Sequence, residues 1–448
     1  MIRSVLVANR GEIARRVFRA CRQLGLKTVA VFSEADRDSP HVREADHAVA
    51  IGPPPARESY LNIDRILEAA RTSRADAIHP GYGFLSENWR FAEACRRAGL
   101  IFVGPSPDAI RQMGDKTEAR RLMAAAGIAV VPGSHETVAD AGEAERVARE
   151  IGYPVILKAV AGGGGIGMTR VDKPQDLSTA FATATRRAQA AFGRRDVYIE
   201  RYLDRPRHVE IQVFGDGKGT TVHLHERECS IQRRHQKLVE EAPAPNLAPA
   251  VKDGLVGAAV AGARAVGYVN AGTLEFLVDA AGDFYFLEMN TRLQVEHPVT
   301  EEVTGLDLVV AQLRVAQGER LPWRQEEIAQ RRAAIECRVY AEDPAKGFLP
   351  SPGKVERLEL PSGEGIRIES GVEAGSVVPV HYDPLLFKLI THGTSRAEAV
   401  ERMAAVLERS VVEGVRTTIP FLRRVLASDA LRQGRVHTQM VEQGAFDG

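Results

Sequence analysis

The sequence predicts a mixed α/β and α+β protein: an N-terminal Rossmann-like parallel-sheet domain, a small mobile lid, and a C-terminal antiparallel-sheet region that carries the chemistry. Three observations support this. Short apolar runs alternate with helical stretches from residue 3 to about 113, a glycine loop separates two strands at 162–167, and strand-like alternation begins at about 204. At 448 residues the chain has room for several domains without disulfide staples.

In the first part, Val5 to Ala8, Val29 to Phe32, Ala77 to His79 and Ile101 to Gly104 read as strands. Helices from Gly11, near 60–72 and from Ser86 separate them. Asn9-Arg10-Gly11-Glu12, at the first strand-to-helix junction, lacks the three glycines of a dinucleotide fingerprint, so the likeness to a Rossmann domain is one of shape only. Ser106-Pro107 reads as an N-cap followed by proline at the first helical position, and that helix ends near Met113. Residues 1–113 are therefore expected to form one domain.

Residues 114–203 are expected to form a linker helix, Lys116 to Ala126, and the lid. The lid has strands at Val155 to Lys158, Met168 to Val171 and Val197 to Glu200, with a long helix before the last. Gly162-Gly-Gly-Gly-Ile-Gly167 satisfies the G-x-G-x-x-G pattern, but a dinucleotide loop must open a helix and Met168 begins a strand. Met168 also stands where a P-loop needs lysine. What remains is a glycine hairpin, with Gly163, Gly164 and Gly165 at its centre, whose amides can close over a nucleotide's phosphates. A turn without function fits the same residues. Lys116 and Lys158 are candidate cationic contacts for those phosphates, and Glu200 ends its strand as a candidate contact to an adenine edge; surface lysines and a plain linker strand are the competing readings.

Residues 204–330 are expected to hold the central site. His208, Glu210 and Gln212 share one strand face, expected to be wet, while Val209, Ile211 and Val213 share the core face. Thr273 to Asn290 alternates like a hairpin around Ala280-Ala-Gly-Asp283. Pairing Asp279 with Phe284 across a four-residue loop puts Glu275 opposite Glu288, with β-carbons roughly 5 Å apart. Two carboxylates with Asn290 on the same face make an oxygen-lined site for a hard divalent cation, Mg²⁺ escorting phosphates above all. A solvated hairpin face is the alternative. The basic run Gln232-Arg-Arg-His-Gln-Lys237 is followed at once by Glu240-Glu241, and aromatics are sparse around it, with none between Phe214 and Tyr268 and Tyr202 further off. That suits an anion pocket for phosphate or bicarbonate better than nucleic acid. Arg292, Gln294 and Glu296 alternate beyond the hairpin, where an arginine can fix an oxyanion and a carboxylate can take its proton. In the last part, 331–448, Glu336 and Arg338 alternate; for Arg338 alone a structural ion pair is the simpler reading.

Bulk properties exclude several classes. Lys plus Arg and Asp plus Glu number 59 each, which argues against nucleic-acid or anionic-membrane binding. Cys21, Cys95, Cys229 and Cys337 include no Cys-x-x-Cys pair, so neither a disulfide framework nor a zinc ribbon is indicated, and a reducing cytoplasm fits. No uncharged apolar run approaches the ~20 residues of a membrane span.

Together these segments resemble the biotin carboxylases, a branch of the ATP-grasp superfamily, over nearly the whole chain. The resemblance rests on Ala8-Asn-Arg-Gly-Glu-Ile-Ala14, His79-Pro-Gly-Tyr-Gly-Phe-Leu-Ser-Glu-Asn88, Met113-Gly-Asp-Lys116, the glycine loop, Arg207-His-Val-Glu-Ile-Gln212, Gln232 to Pro245 and Glu288 to Glu301. It implies that Lys116, Lys158, Glu200, Leu203, His208, Gln232 and His235 hold ATP and that Glu275, Glu288 and Asn290 hold Mg²⁺ (or Mn²⁺). It also implies that Lys237, Arg292, Gln294 and the Val295 backbone position bicarbonate, that Glu296 deprotonates it to make carboxyphosphate, and that Tyr82 and Arg338 meet biotin. The resemblance further implies a homodimer. Ala161 and Ile166 depart from the family's usual loop of five glycines, arginine and glycine, and predict a stiffer loop lacking one cation. The chain has no Met-Lys pair and hence no biotinylation site. The expected partners are therefore a biotin carboxyl carrier protein and a carboxyltransferase subunit. Another ATP-grasp ligase forming an acyl phosphate is the alternative, and the acyl substrate, whether of an acetyl-CoA carboxylase or another complex, stays open.

Overall fold

The N-terminal apolar runs assemble into a five-stranded parallel sheet in the order His47–Gly52, Lys27–Ser33, Ser4–Val7, Ala77–His79, Ile101–Phe102. The structure is a computed structural model that describes residues 2–134, 136–160 and 168–447. The edge strand His47–Gly52 was not expected; its apolar run, Ala48-Val-Ala-Ile51, is short and mostly part-exposed, unlike the buried runs of the central parallel strands. Helix starts follow local capping. Asn62, Asn88 and Ser106 each accept a backbone N–H with their side chains, which delays the helices expected near 60 and 86 to Ile63–Ser73 and Trp89–Arg97.

The lid is a three-stranded antiparallel sheet with Val155–Ala159 at its centre, between Met168–Val171 and Val197–Arg201. The helices Ala141–Ile151 and Leu177–Phe192 supply Ala144, Val147, Ala184 and Ala188 to its core. Met168–Val171 is a strand, as the reading against a dinucleotide loop requires.

An eight-stranded sheet forms the body, in the order Phe284–Asn290, Asn270–Val278, Arg207–Gly215, Thr221–Arg233, Gln236–Ala242, Ala333–Tyr340, Leu385–Gly393, Ile366–Ser370. Its strand pairing crosses residue 331 through Val239↔Cys337 and Glu240↔Glu336. The helix Leu308–Ala316 packs its Leu308 and Leu313 in one core with Val17 and Phe18 of Gly11–Gln23. Arg16 fastens the same contact with bonds of 2.8 Å to Glu301 and 2.7 Å to Asp307. All four cysteines are buried as free thiols. Among the described residues, no helix is long and apolar enough to cross a membrane.

Candidate active site

Glu275 stands directly opposite Glu288, as expected, but the route differs by one residue. Val278, not Asp279, pairs with Phe284, because Asp279 caps a five-residue loop by accepting the Ala281 and Asp283 amides. Gly282 takes the positive φ that loop requires. A bulge between Glu275 and Phe276 then restores the register and aligns the two acids. Thr273↔Asn290 follows on the same ladder, so Glu275, Glu288 and Asn290 line one cavity.

That cavity, of about 1090 Å³, lies between the lid, the eight-stranded sheet and the Tyr82–Phe84 turn. Lys116, Lys158, Glu200, Leu203, His208, Gln232 and His235 line it. So do Lys237, Arg292, Gln294, Val295, Arg338 and Tyr82. Gly163, Gly164, Gly165, Ala161 and Ile166 lie outside the described residues.

Lys237 is the hub of the site. Its ammonium donates to Glu210 at 2.5 Å, Glu275 at 2.8 Å and Glu296 at 2.6 Å. Burial disfavours its charge, but Glu210, Glu275 and Glu296 reverse that and push its pKa well above the lysine range. Glu296 is fully buried behind this hub; its other oxygen accepts from Arg338 at 2.9 Å. Burial opposes ionisation of Glu296, yet Lys237 and Arg338 outweigh it and hold the carboxyl well below its ordinary range. Glu275 is held low in the same way, against burial, by Lys237 and by His208, whose Nε2 is 3.1 Å from Glu275 Oε2. Burial, then the charge of Glu275, push Glu288 up. Two facing acids of which one resists ionisation, with an amide oxygen beside them, are a donor set that fits a hard cation.

The strap after the hairpin is tied back to the N-terminal domain. Arg292 Nε lies 3.1 Å from Glu87, and its Nη groups reach Asn290 and Gln294 at 2.6 and 3.1 Å. Gln294 in turn donates to Glu275 at 3.0 Å. On the lid side, Glu200 accepts from both Lys158 and Arg120, so its carboxylate orders the lysine expected at the phosphates.

The expected wet face of His208, Glu210 and Gln212 is buried, because the strand is central and Arg227 fills the space above it. Arg227 donates to Glu210 at 2.6 Å and to Gln212 and Thr300 at 2.9 Å each. Glu210 and Arg227 are cross-strand partners, a charge pairing that a register guess would have exposed. Glu240, also missed, contacts Arg338 at 2.5 Å, and burial pushes it up to about 7 in spite of that guanidinium.

Family models match the chain from one end to the other: the biotin carboxylase N-terminal domain at residues 1–110, the carbamoyl-phosphate synthase L chain ATP binding domain at 115–324, and the biotin carboxylase C-terminal domain at 336–443. Biotin carboxylase 2 of Bacillus subtilis (strain 168) is 52% identical over 443 residues, covering 99% of this chain and 100% of the relative. The chain belongs to the biotin carboxylase family. The biotin carboxylase of Halalkalibacterium halodurans is also 52% identical, over 98% of this chain and 97% of its own. Among solved structures, a biotin carboxylase complex from Campylobacter jejuni aligns with a TM-score of 0.95 and 45% identity, over 99% of each chain. The biotin carboxylase domain dimer of Hydrogenobacter thermophilus 2-oxoglutarate carboxylase, in complex with MgADP, ADP and bicarbonate, aligns with a TM-score of 0.94 and 46% identity, over 100% of this chain and 99% of that one. Biotin carboxylases thus share both the parallel N-terminal layer and the antiparallel body described above.

Proposed function

We propose that this chain carboxylates biotin on a carrier protein, using ATP and bicarbonate, as the first half-reaction of a biotin-dependent carboxylase. The observation that carries this reading is the Lys237 hub: one ammonium joins the acid of the cation hairpin, Glu275, to the buried base, Glu296.

The mechanism follows from the charges. Lys237, Arg292, Gln294 and the Val295 amide bind bicarbonate, an anion with little else to grip. Glu296 is ionised but a weak base while Lys237 and Arg338 both hold it. Bicarbonate drawing Lys237 toward itself, and biotin drawing Arg338, would each return basicity to Glu296. Glu296 then takes the bicarbonate proton, the freed oxygen attacks the γ-phosphorus, and ADP leaves; the product is carboxyphosphate. Lys116 and Lys158, with His208, Gln232, His235, Glu200 and Leu203, hold the nucleotide. When bound, Mg²⁺ (or Mn²⁺) would be held by Glu275, Glu288 and Asn290 and would supply charge neutralisation on the phosphates. In the second step the ureido nitrogen of biotin gives its proton to the departing phosphate and takes the carboxyl group, with Arg338 stabilising the negative ureido oxygen and Tyr82 seating the ring.

Residues 1–113, 114–203, 204–330 and 331–448 are proposed as the working units, with the second as the lid over the nucleotide. The dimeric Hydrogenobacter domain supports a homodimer, and the buried free thiols support a cytoplasmic setting. The proposed partners are a biotin carboxyl carrier protein and a carboxyltransferase subunit. Another ATP-grasp ligase forming an acyl phosphate would not need Arg338 beside its base. Measuring ATP hydrolysis with bicarbonate and free biotin, each omitted in turn, tests the reading: hydrolysis that requires both supports it, and hydrolysis indifferent to biotin defeats it.

A further inference from the structure

Lys388, in the strand Leu385–Gly393, is fully buried and is among the largest side chains so enclosed. Its ammonium donates to the Val295 carbonyl at 2.7 Å and lies 3.1 Å from Glu12 Oε1. The same Glu12 oxygen accepts from the Tyr82 hydroxyl, and the ammonium is 5.9 Å from the Tyr82 ring centre. Val295, Glu12 and Tyr82 all line the cavity. One enclosed cation therefore touches the peptide after Val295 and the acid that holds Tyr82, two groups from chain segments more than two hundred residues apart in sequence.

A buried ammonium survives only with partners, and among the described residues Glu12 and the Val295 carbonyl are those within reach. Other charges surround it. Arg338 is its cross-strand neighbour on one side and Glu369 on the other, with Glu336 next along the first strand and His297 on the helix His297–Thr304. Mere neutralisation of those acids would not require contact with either pocket. The bond to the Val295 carbonyl fixes the Val295–Glu296 peptide, which joins the residue of the proposed bicarbonate amide to the proposed base.

We propose that Lys388 is a positioning residue: it locks the Val295 peptide and, through Glu12, the Tyr82 ring at a set separation, aligning the bicarbonate and biotin pockets. This rests on the function proposed above. The test compares wild type with Lys388→Met, Glu12→Gln and the double variant, measuring KM for bicarbonate, free biotin and ATP together with thermal midpoints. Lys388→Met is expected to raise KM for bicarbonate and for biotin by ~10-fold or more, with KM for ATP within about 2-fold of wild type. Glu12→Gln is expected to raise KM for biotin but not bicarbonate, and the double variant to be no worse for biotin than Lys388→Met alone. A lower thermal midpoint with both KM values unchanged makes Lys388 a structural cation and overturns the proposal. Should Lys388→Met fail to fold, Glu12→Gln decides, since an unchanged KM for biotin breaks the link. Wild-type hydrolysis that ignores bicarbonate and biotin overturns the functional reading instead, and the proposal with it.

Discussion

Arg338 and Glu296 form a buried ion pair of 2.9 Å, and Glu240 lies against the same guanidinium at 2.5 Å. One cation thus answers two acids, one of them the proposed base. Arg338→Gln is expected to slow biotin-dependent ATP hydrolysis by ~100-fold, about 3 kcal/mol of barrier, while nucleotide affinity is retained. Arg338→Lys should not restore the rate, because a point charge cannot serve Glu240 and the ureido oxygen as a planar fork does. Steady-state kinetics with ADP binding by calorimetry checks both.

Glu288 faces Glu275 and resists ionisation beside it, a conflict that a divalent cation would remove. Glu288→Gln should raise the Mg²⁺ concentration for half-maximal activity on the order of 10- to 100-fold, and a chelator should abolish hydrolysis in the wild type. Titration of activity with Mg²⁺ is the measurement.

Arg227 is fully buried against Glu210, so removing it leaves Glu210 to share one cation, Lys237, with Glu275 and Glu296. Arg227→Met is expected to destabilise the protein by about 3–5 kcal/mol. A denaturant midpoint well below that of wild type is the expected outcome.

Two carboxyls should give opposite pH signatures. Burial is overcome at Glu369 by Arg367 and Arg19, which hold it at about 2, so its stabilisation is present above its ordinary 4.5 and lost as pH falls toward 2. That amounts to about 3 kcal/mol, which Glu369→Gln should remove. Glu240, raised by burial to about 7, behaves the other way: its contribution is present below 4.5 and lost as pH rises toward 7. In Glu240→Gln that loss should vanish. Thermal midpoints from pH 3 to 8 check both signs.

Much of this site was legible because period-two alternation puts every second residue on one face. Glu275, Glu288 and Asn290 could be placed together from spacing alone, even though Asp279 capped a longer loop and a bulge made up the difference. The glycine loop was separated from a dinucleotide fingerprint by reading Met168 as a strand, which it is. What stayed hidden depends on distant neighbours. Glu210 read as wet because nothing local announces Arg227, and nothing near Lys388 in its strand announces Val295 or Glu12. His47–Gly52 was missed because its apolar run is only the four residues Ala48-Val-Ala-Ile51, set on a partly solvated edge.

In the proposed mechanism Glu296 and Lys237 prepare bicarbonate for transfer to biotin at the expense of ATP. Its most direct test is the incorporation of label from isotopically labelled bicarbonate into free biotin, with ADP measured alongside, in wild type and in Glu296→Gln. Label appearing in biotin only when ATP is supplied, and falling by ~100-fold or more in the variant, is the predicted result. ATP consumed without label reaching biotin, or labelling that Glu296→Gln leaves intact, would contradict it.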